Sequence, residues 1–248
     1  MDTNKPKEAT FRLQDNPKII EVPIDNQQRK ADYLYAYLRN QIIQQTWSPG
    51  DRINDKEISE TTKISRLSVR EALGRLITDD IVEQKQWKGY FLRKFSPKEV
   101  RDLTSVRIAL EQLALDNICK LTDMQLADYC ALMNSTINFS EAALDNQENS
   151  KYMVTDFHFH EILYEASGNP MIAQFINNIM LKINIMRNIS MGKKESDFIQ
   201  AGKKSIYDHR RITEALANRN KTEACDLLYV HLANTFVDNI LKDIEKKD

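Results

Sequence analysis

The chain has 248 residues, which is enough for one large domain or two ordinary ones. Hydrophobic residues make up 42% of it and charged residues 29%, a balance typical of soluble globular proteins. Because the formal net charge is −1, the surface as a whole is not basic, and charge must be judged segment by segment.

The cysteine content excludes two classes of protein. There are three cysteines, an odd number, and none form a CxxC pair, so neither a disulfide framework nor a zinc finger is indicated.

The sequence has no apolar run of about 18 residues and no signal-peptide segment, so we expect a cytoplasmic protein. Glycine and proline number six each, and most apolar segments have a helical period, which predicts a mainly α fold.

The first predicted helix follows a polar segment. Residues 1–24 are irregular in sequence and are interpreted as a flexible tail. Asp25 and Gln28 have the spacing of a capping box, so a helix is expected from about Asp25 to about Gln45. The side chains expected to face inward are Ala31, Leu34, Leu38 and Ile42.

Two further helices follow, with a tight turn between them. Asn54 is a capping residue and Glu57 follows three residues later, which predicts a short helix that ends near Thr62. After the turn, Ser65 is placed to cap the next helix. The apolar face of that helix consists of Val69, Leu73 and Leu76. This order of helices and turn is typical of a helix-turn-helix.

The first turns of the third helix carry polar residues that lie off the apolar face. These residues are Arg66, Ser68 and Arg70. An arginine can donate two hydrogen bonds to guanine or to a phosphate, and a serine hydroxyl suits a phosphate contact. A recognition helix presents its N-terminal residues to base edges in this way. The alternative is an ordinary amphipathic helix with solvated arginines.

A β-hairpin is predicted directly after this helix. Residues 81–84 and 90–93 have the character of two short strands, and the turn between them is basic. Gly89 provides a permissive backbone at the tip, where Lys88 and Gly89 are candidate contacts to the minor groove or to phosphates. From Arg29 to Lys94 there are 13 Lys and Arg against 9 Asp and Glu, a balance of +4, as expected of a DNA-binding domain.

The rest of the chain is predicted to be helical throughout. Ser96-Pro97 and Glu99 form a strong helix start, because they combine a cap, a proline at the first position and a glutamate at the third. Six helices are expected, at about 97–119, 122–145, 150–167, 170–190, 196–217 and 220–245. The predicted fold is therefore an N-terminal winged helix-turn-helix followed by an all-α antiparallel helical bundle.

Three of the four histidines belong to a candidate metal site. Asp156 and His160 are four residues apart on one predicted helix and therefore share a face. His209 and His231 lie on two further helices, and metal sites in bundles use inward side chains of several helices. Three imidazoles and a carboxylate suit a divalent ion such as Zn, Ni or Mn. The alternative is a set of unrelated polar residues on solvated faces, as we expect for His158, which points away.

The segment 48–93 resembles the DNA-binding domain of the GntR family of bacterial transcription regulators. The runs that carry the resemblance are SPGDRI, ISRLSVREALGRL and WKGYFL, in this order. The resemblance implies DNA contacts at Lys56, Ser65, Arg66, Ser68, Arg70, Lys88 and Gly89. Lys63 and Asp80 depart from the family pattern, since glycine is usual at both turns, and a strained or re-routed backbone is expected there.

The second part of the chain is similar to the FCD effector domain of the FadR subfamily. The similar pieces are VRIALEQLAL (106–115), DFHFHEILYEASGNP (156–170) and the stretch from His209 to His231. In many FCD domains, residues at the positions of Asp156, His160, His209 and His231 bind a metal. The resemblance also implies that Arg107 holds the carboxylate of a small organic acid beside the metal. The alternative is that Arg107 pairs with Glu111, one turn further on.

These observations predict three segments: a flexible tail (1–24), a winged helix-turn-helix domain (25–95) and a helical FCD effector-binding and dimerisation domain (96–248). The leading hypothesis is a homodimeric transcription regulator that binds double-stranded operator DNA and responds to a small organic acid held at a divalent metal ion. The alternatives are a sensor of the metal ion itself and a metal-dependent enzyme. The sequence does not identify the acid, the operator, the metal, or repression versus activation.

Overall fold

The structure is a computed structural model, and it describes residues 27–44, 46–191 and 195–233. It is mainly helical with one small antiparallel sheet, as the sequence predicts. The N-terminal elements are α1 (Gln27–Ile43), β1 (Arg52–Ile53), α2 (Asp55–Thr62), α3 (Arg66–Thr78), β2 (Val82–Lys85) and β3 (Gly89–Leu92). The C-terminal elements are α4 (Pro97–Ile118), α5 (Asp123–Asp145), α6 (Asn149–Ala166), α7 (Pro170–Met191), α8 (Glu195–Ala217) and α9 (Lys221–Leu232).

Helix α1 buries the face that its apolar spacing predicts. It packs against α3 and also contacts α7 in the C-terminal part. The buried residues of α1 are Ala31, Leu34, Leu38 and Ile42. The predicted tail, the cap at Asp25 and the helix end at Gln45 lie outside the described residues.

Side-chain caps start the two helices of the helix-turn-helix. Asn54 Oδ1 accepts hydrogen bonds from the backbone N–H groups of Lys56 and Glu57, at 3.1 and 3.4 Å. Ser65 Oγ accepts from the backbone N–H of Ser68 at 3.3 Å. Both predicted caps are confirmed, and they satisfy N–H groups that have no partner within the helix. The predicted apolar face of α3 is fully buried: Val69, Leu73 and Leu76.

Two turns adopt the left-handed conformation. Lys63, which ends α2, has φ 58° and ψ 23°. Asp80, which follows α3, has φ 61°. A non-glycine residue in this region costs roughly 1–2 kcal/mol. The backbone strain expected at these two departures from the family pattern is therefore confirmed.

The hairpin belongs to a three-stranded antiparallel sheet with the strand order β1-β3-β2. Strand β1 pairs Arg52 with Phe91 and Ile53 with Tyr90. The sequence predicts only the two strands of the hairpin, because a strand of two residues has no alternation to recognise. The third strand stabilises a hairpin that would be marginal by itself.

The hairpin turn is the tip of the wing. The backbone N–H of Lys88 donates to the carbonyl of Lys85 at 3.0 Å and closes the turn. Trp87 has φ 61°, and its side chain is 96% exposed. Gly89, with φ 95°, begins β3. An aromatic side chain therefore projects from a tip that also carries Lys85 and Lys88.

The C-terminal helices form a bundle that agrees with the six predicted helices within the described residues. Their observed starts differ from the predicted ones by at most one residue. The end predicted near 245 lies outside the described residues. Helix α8 packs against α5, α6 and α9, and α4 packs against α6, α7 and α9, so α4, α6, α8 and α9 surround a common core. Across the described part of the chain, no helix combines the length and hydropathy needed to cross a membrane.

Candidate functional site

The two arginines predicted to read DNA are held by one carboxylate. Arg66 Nη2 donates to Asp55 Oδ1 at 3.0 Å and to Asp55 Oδ2 at 2.9 Å. Arg70 Nε donates to Asp55 Oδ2 at 2.8 Å. Both arginine side chains are about half exposed, whereas Asp55 is largely covered. Because Asp55 is the first residue of α2, these ion pairs join the two helices of the helix-turn-helix on their exposed face.

Asp55 is ionised in this arrangement. Partial burial alone would raise the pKa of Asp55, but the hydrogen bonds and charges of Arg70 and Arg66 hold the pKa below its usual value. Sequence spacing does not single out Asp55, because its partners lie 11 and 15 residues later on another helix. Only the folded helix pair brings the three side chains together.

A groove of about 400 Å³ separates the recognition helix α3 from the wing. Its charged lining consists of Arg52, Asp55, Arg66, Arg70, Lys85 and Lys88. Five of these six side chains are cations, so the groove has the charge needed to attract a phosphate backbone. Gly89 and Trp87 also line it, and because Lys88 is part of the charged lining, both predicted wing contacts, Lys88 and Gly89, lie beside the recognition helix.

The remaining predicted DNA contacts differ in exposure. Lys56 is exposed, with Nζ 3.7 Å from Glu60 Oε1, and Ser65 is exposed at the start of α3. Ser68 is only 1% exposed, and its hydroxyl oxygen lies 3.0 Å from that of Ser65. Ser68 therefore supports the helix start in this structure, and a contact between Ser68 and DNA stays a prediction.

Three of the four predicted metal ligands meet in the core of the helical part. His160 on α6, His209 on α8 and His231 on α9 are buried, and their ligand atoms lie within 4.8 Å of one another. His209 Nε2 and His231 Nε2 are 3.2 Å apart. When two nitrogens bind the same ion in tetrahedral geometry, each at roughly 2.0–2.1 Å from it, the nitrogens lie about 3.3 Å apart. The observed separation fits a shared divalent ion.

A buried carboxylate orients the first of these histidines. Glu111 Oε2 lies 2.9 Å from His160 Nδ1. Glu111 Oε1 accepts hydrogen bonds from Arg107 Nε at 2.6 Å and from the Tyr164 hydroxyl at 2.7 Å. Because Nδ1 of His160 faces the carboxylate, Nε2 is the atom left to bind a metal, an arrangement typical of metal-binding histidines.

The protonation states of this cluster suit a metal site. Burial lowers the pKa of His160 to about 4, although the Glu111 charge opposes the shift. Burial alone would raise the pKa of Glu111, but Arg107 and His160 hold it well below its usual value. A neutral imidazole beside an ionised carboxylate is the state from which a divalent ion is bound.

Arg107 forms the ion pair with Glu111 that is the alternative to its role in binding an organic acid. It is buried beside Glu111, one turn away on α4, and the pair uses Nε of Arg107. Burial opposes the charge of Arg107, but Glu111, Tyr164 and Asp156 hold the pKa of Arg107 above its usual value. The arginine is therefore a buried permanent cation, and its role as a clamp for an organic acid stays a prediction.

A second carboxylate lies behind His231. Asp208 Oδ2 is 3.4 Å from His231 Nδ1 and accepts a hydrogen bond from Lys204 Nζ at 2.9 Å. Burial alone would raise the pKa of Asp208, but the hydrogen bonds from His231 and Lys204 keep it below its usual value. Asp208 is not predicted from the sequence, although it directly precedes His209, because it contacts a histidine on the next helix.

The remaining two predictions concern α6. Asp156 is buried one turn before His160, and its Oδ1 accepts hydrogen bonds from Ser205 Oγ at 2.6 Å and the Tyr152 hydroxyl at 3.2 Å. It is not part of the group whose ligand atoms lie within 4.8 Å, so its role as a fourth ligand stays a prediction. His158 is partly exposed and lies 3.2 Å from Glu161 on the same helix, as expected of a residue outside the site.

Comparisons with known proteins agree with both parts of the chain. Residues 30–92 match the family described as "Bacterial regulatory proteins, gntR family", and residues 102–234 match the FCD domain. The chain is 25% identical over 200 residues to the uncharacterized HTH-type transcriptional regulator YdhC of Bacillus subtilis (strain 168). This alignment covers 80% of the chain and 85% of that relative.

A second relative agrees in sequence, and a solved structure agrees in fold. The chain is 29% identical over 197 residues to the Nta operon transcriptional regulator of Aminobacter aminovorans, covering 79% of the chain and 87% of the relative. The crystal structure of a transcriptional regulator GntR from Rhodococcus sp. RHA1 has the same fold, with a TM-score of 0.67 and 20% identity, covering 86% of this chain and 98% of that one. These relatives are transcription regulators and not enzymes. The chain therefore belongs to the GntR family of bacterial transcription regulators and carries an FCD domain.

Proposed function

We propose that this regulator binds operator DNA as a homodimer in the cytoplasm, and that a small organic acid held at a divalent metal ion controls its affinity for the operator. The observation that carries the proposal is the buried cluster of His160, His209 and His231. Two carboxylates, Glu111 and Asp208, face the outer nitrogens of that cluster. Inward imidazoles from several helices, each backed by a carboxylate, are typical of metal sites in helical bundles, which supports the proposal.

The proposed metal ligands are His160, His209, His231 and Asp156. Asp156 lies on the same face of α6 as His160 and is buried, which supports its inclusion. When bound, a divalent ion such as Zn, Ni or Mn would supply a positive charge that attracts an anionic ligand. Phe159 stacks on His209 with ring centroids 3.8 Å apart, which limits rotation of the His209 ring and supports its role as a fixed ligand.

Arg107 is the proposed partner for the carboxylate of the acid. It is a buried cation on α4, and it shares Glu111 with His160, so it lies next to the histidine cluster. The planar guanidinium can donate two parallel hydrogen bonds to a carboxylate. Glu111 occupies Nε, so an acid would be bound through the terminal nitrogens.

The DNA-binding face is proposed to consist of the recognition helix and the wing. The cationic groove supports this proposal, since it lies between Arg66, Arg70 and the tip of the hairpin. One recognition helix makes few base contacts, whereas a two-fold dimer doubles them and fixes the spacing of two half-sites. Val106 and Leu113 lie seven residues apart on α4 and are both exposed, which supports an apolar contact surface between subunits.

The proposed control requires two dimer arrangements with different affinities for the acid. A ligand that binds both arrangements equally shifts nothing. We propose that the arrangements differ in the separation of the two recognition helices. The connection around Phe95-Ser96-Pro97, between β3 and α4, is the proposed hinge.

The metal site is tested with the double variant His209→Ala/His231→Ala. The variant is expected to lose stoichiometric metal and the response of DNA binding to ligand, while it still binds DNA in one fixed state. Elemental analysis and gel shifts with a selected genomic fragment measure both properties. His158→Ala, which changes a histidine outside the cluster, is the matched control. A double variant that retains one metal ion per chain contradicts the proposal.

One observation favours a second candidate, a sensor of the metal ion itself. The ion pair between Arg107 and Glu111 already satisfies one face of the arginine, as a purely structural arginine would require. In that case, metal alone should change operator binding and small organic acids should add nothing. Titration of operator binding with metal, with and without a panel of small carboxylates, separates the two functions.

Oligomeric state is tested separately. Sedimentation of the protein at micromolar concentration, alone and on operator DNA, is expected to show a dimer in both cases. A monomer in both measurements contradicts the proposed symmetric reading of two half-sites.

A further inference from the structure

We propose that Asp55 determines the specificity of DNA binding, by holding Arg66 and Arg70 ready for bases and by opposing contacts with phosphates alone. The proposal rests on the proposed DNA-binding face. Its basis is the set of three hydrogen bonds of 2.8–3.0 Å that Asp55 accepts from the two arginines. Within the described residues, neither arginine forms an ion pair with a side chain other than Asp55.

The position of Asp55 makes it part of the binding surface. Both arginines are about half exposed, and all three side chains line the groove between α3 and the wing. Asp55 is the only acidic residue in the described lining of that groove. A phosphate that enters the groove therefore meets a carboxylate as well as the arginines, and like charges repel.

The geometry also explains how the arginines would be prepared for base contacts. A free arginine loses several rotatable bonds when it contacts a base, and that loss of entropy weakens binding. Asp55 fixes Arg70 through Nε, which directs the guanidinium and leaves its terminal nitrogens to donate to guanine O6 and N7. Binding to the operator is strengthened because Arg70 is already oriented for a base contact. Non-specific binding through phosphates gains little from this orientation and is weakened by the repulsion between Asp55 and the phosphates.

Asp55 is not expected to be needed for the stability of the fold. Asn54 already caps α2, with its side chain accepting from two backbone N–H groups. Both arginines are about half exposed, so they stay solvated without Asp55, and ion pairs with solvated partners contribute little to the free energy of unfolding. Removal of the Asp55 charge is therefore expected to change DNA binding without unfolding the domain.

The test compares Asp55→Asn with Glu57→Gln in the full-length dimer. Glu57 is exposed in the same first turn of α2, but a residue two positions away points about 200° from Asp55. Each variant removes one negative charge from the same helix. The probes are the genomic fragment that the wild type selects and a random duplex of equal length and base composition, each titrated from low to moderate salt.

Asp55→Asn is expected to bind random DNA about three- to tenfold more tightly than the wild type does, with a salt slope steeper by about one. The ratio of operator affinity to random affinity is expected to fall at least threefold, while Glu57→Gln keeps the wild-type ratio within twofold. Circular dichroism is expected to show the same fold for all proteins. If the ratio of operator affinity to random affinity is the same for Asp55→Asn and Glu57→Gln, the inference about Asp55 is wrong, but the proposed function is not affected. A wild type without any preference for a genomic fragment overturns both the inference and the proposed function.

Discussion

Asp80 and Lys182 form an ion pair of 3.1 Å that joins the end of the recognition helix to α7 of the FCD domain. Asp80 Oδ2 also accepts a hydrogen bond from Arg93 Nη1 at 2.5 Å, and Arg93 pairs with Glu99 in the first turn of α4. Asp80 has φ 61°, where glycine would be relaxed. The strained aspartate therefore connects the DNA-binding elements with two helices of the FCD domain, which no glycine could do.

This connection predicts that Asp80→Gly separates DNA binding from its control. Glycine relieves the left-handed strain, and the lost ion pairs are partly exposed, so the two effects on stability are each about 1 kcal/mol and nearly cancel. Operator binding is expected to persist, while its change on addition of metal and acid falls by at least half. Gel shifts with and without ligand, together with thermal unfolding, measure both.

Lys63→Gly is the matched control for this prediction. Lys63 is also left-handed and also replaces a usual glycine, but it lies in the turn between α2 and α3, away from the FCD domain. It should keep the complete ligand response. Asp80→Gly with the wild-type response would show that the ion pair carries no coupling between the two parts.

Most of the fold is predictable because its signals are local. The capping box of Ser96 and Glu99 and the left-handed Gly168 before α7 define helix ends without reference to any other part of the chain. Strand β1 is not predictable in this way, since two residues carry no period and acquire their pairing only from β3.

The candidate site is predictable only in part, because several of its contacts join residues that are distant in the sequence. The three histidines could be proposed from their residue type and from the family resemblance. Three acids contact partners on other helices, and only the packing of those helices brings each pair together. The separation in sequence is 49 residues for Glu111, 23 for Asp208 and up to 15 for Asp55. A single sequence does not state which helices are neighbours, so these acids could not be assigned their partners.

The recognition-helix arginines yield a second prediction. Arg66→Ala and Arg70→Ala are each expected to weaken operator binding by about 1–3 kcal/mol without loss of metal, because each removes a proposed base or phosphate contact. Fluorescence anisotropy with operator and random DNA distinguishes the two kinds of contact, since loss of a phosphate contact weakens both equally. Arg75→Ala is the control, because Arg75 lies on the same helix but pairs with Asp32 and Glu71. Wild-type affinity in either variant would place that arginine off the DNA.

A third prediction concerns the metal-free protein in mild acid. In the unfolded chain a histidine has a pKa of about 6.5, whereas burial lowers the pKa of His160 to about 4 in the fold. Below pH 6.5 the unfolded state therefore binds the extra proton, and the free energy of unfolding falls until about pH 4, by up to roughly 1.4 kcal/mol per pH unit. Chelator-treated wild type should lose stability over this window, and His160→Gln should lose less. An unfolding free energy that is constant from pH 7 to pH 5 contradicts the assignment of a buried neutral imidazole.

The last prediction separates the two acids that support the histidines. Glu111 is fully buried and neutralises Arg107, so Glu111→Gln leaves a buried charge without compensation and should cost about 3–5 kcal/mol of stability. Asp208 pairs with the half-exposed Lys204, so Asp208→Asn should cost less than about 1 kcal/mol. Both variants should bind metal about 10–100-fold more weakly, because each acid fixes the orientation and basicity of one histidine.

The two measurements for this prediction are thermal unfolding of the chelator-treated proteins and titration of the same samples with Zn²⁺. Glu161→Gln is the control, since Glu161 supports His158 outside the cluster. Asp208→Asn is the more informative variant, because it is expected to keep the fold and to change only the hydrogen bond with His231 Nδ1 and the ion pair with Lys204. If Asp208→Asn and Glu111→Gln both titrate like Glu161→Gln, the acids neutralise charge in the core and do not support a metal site.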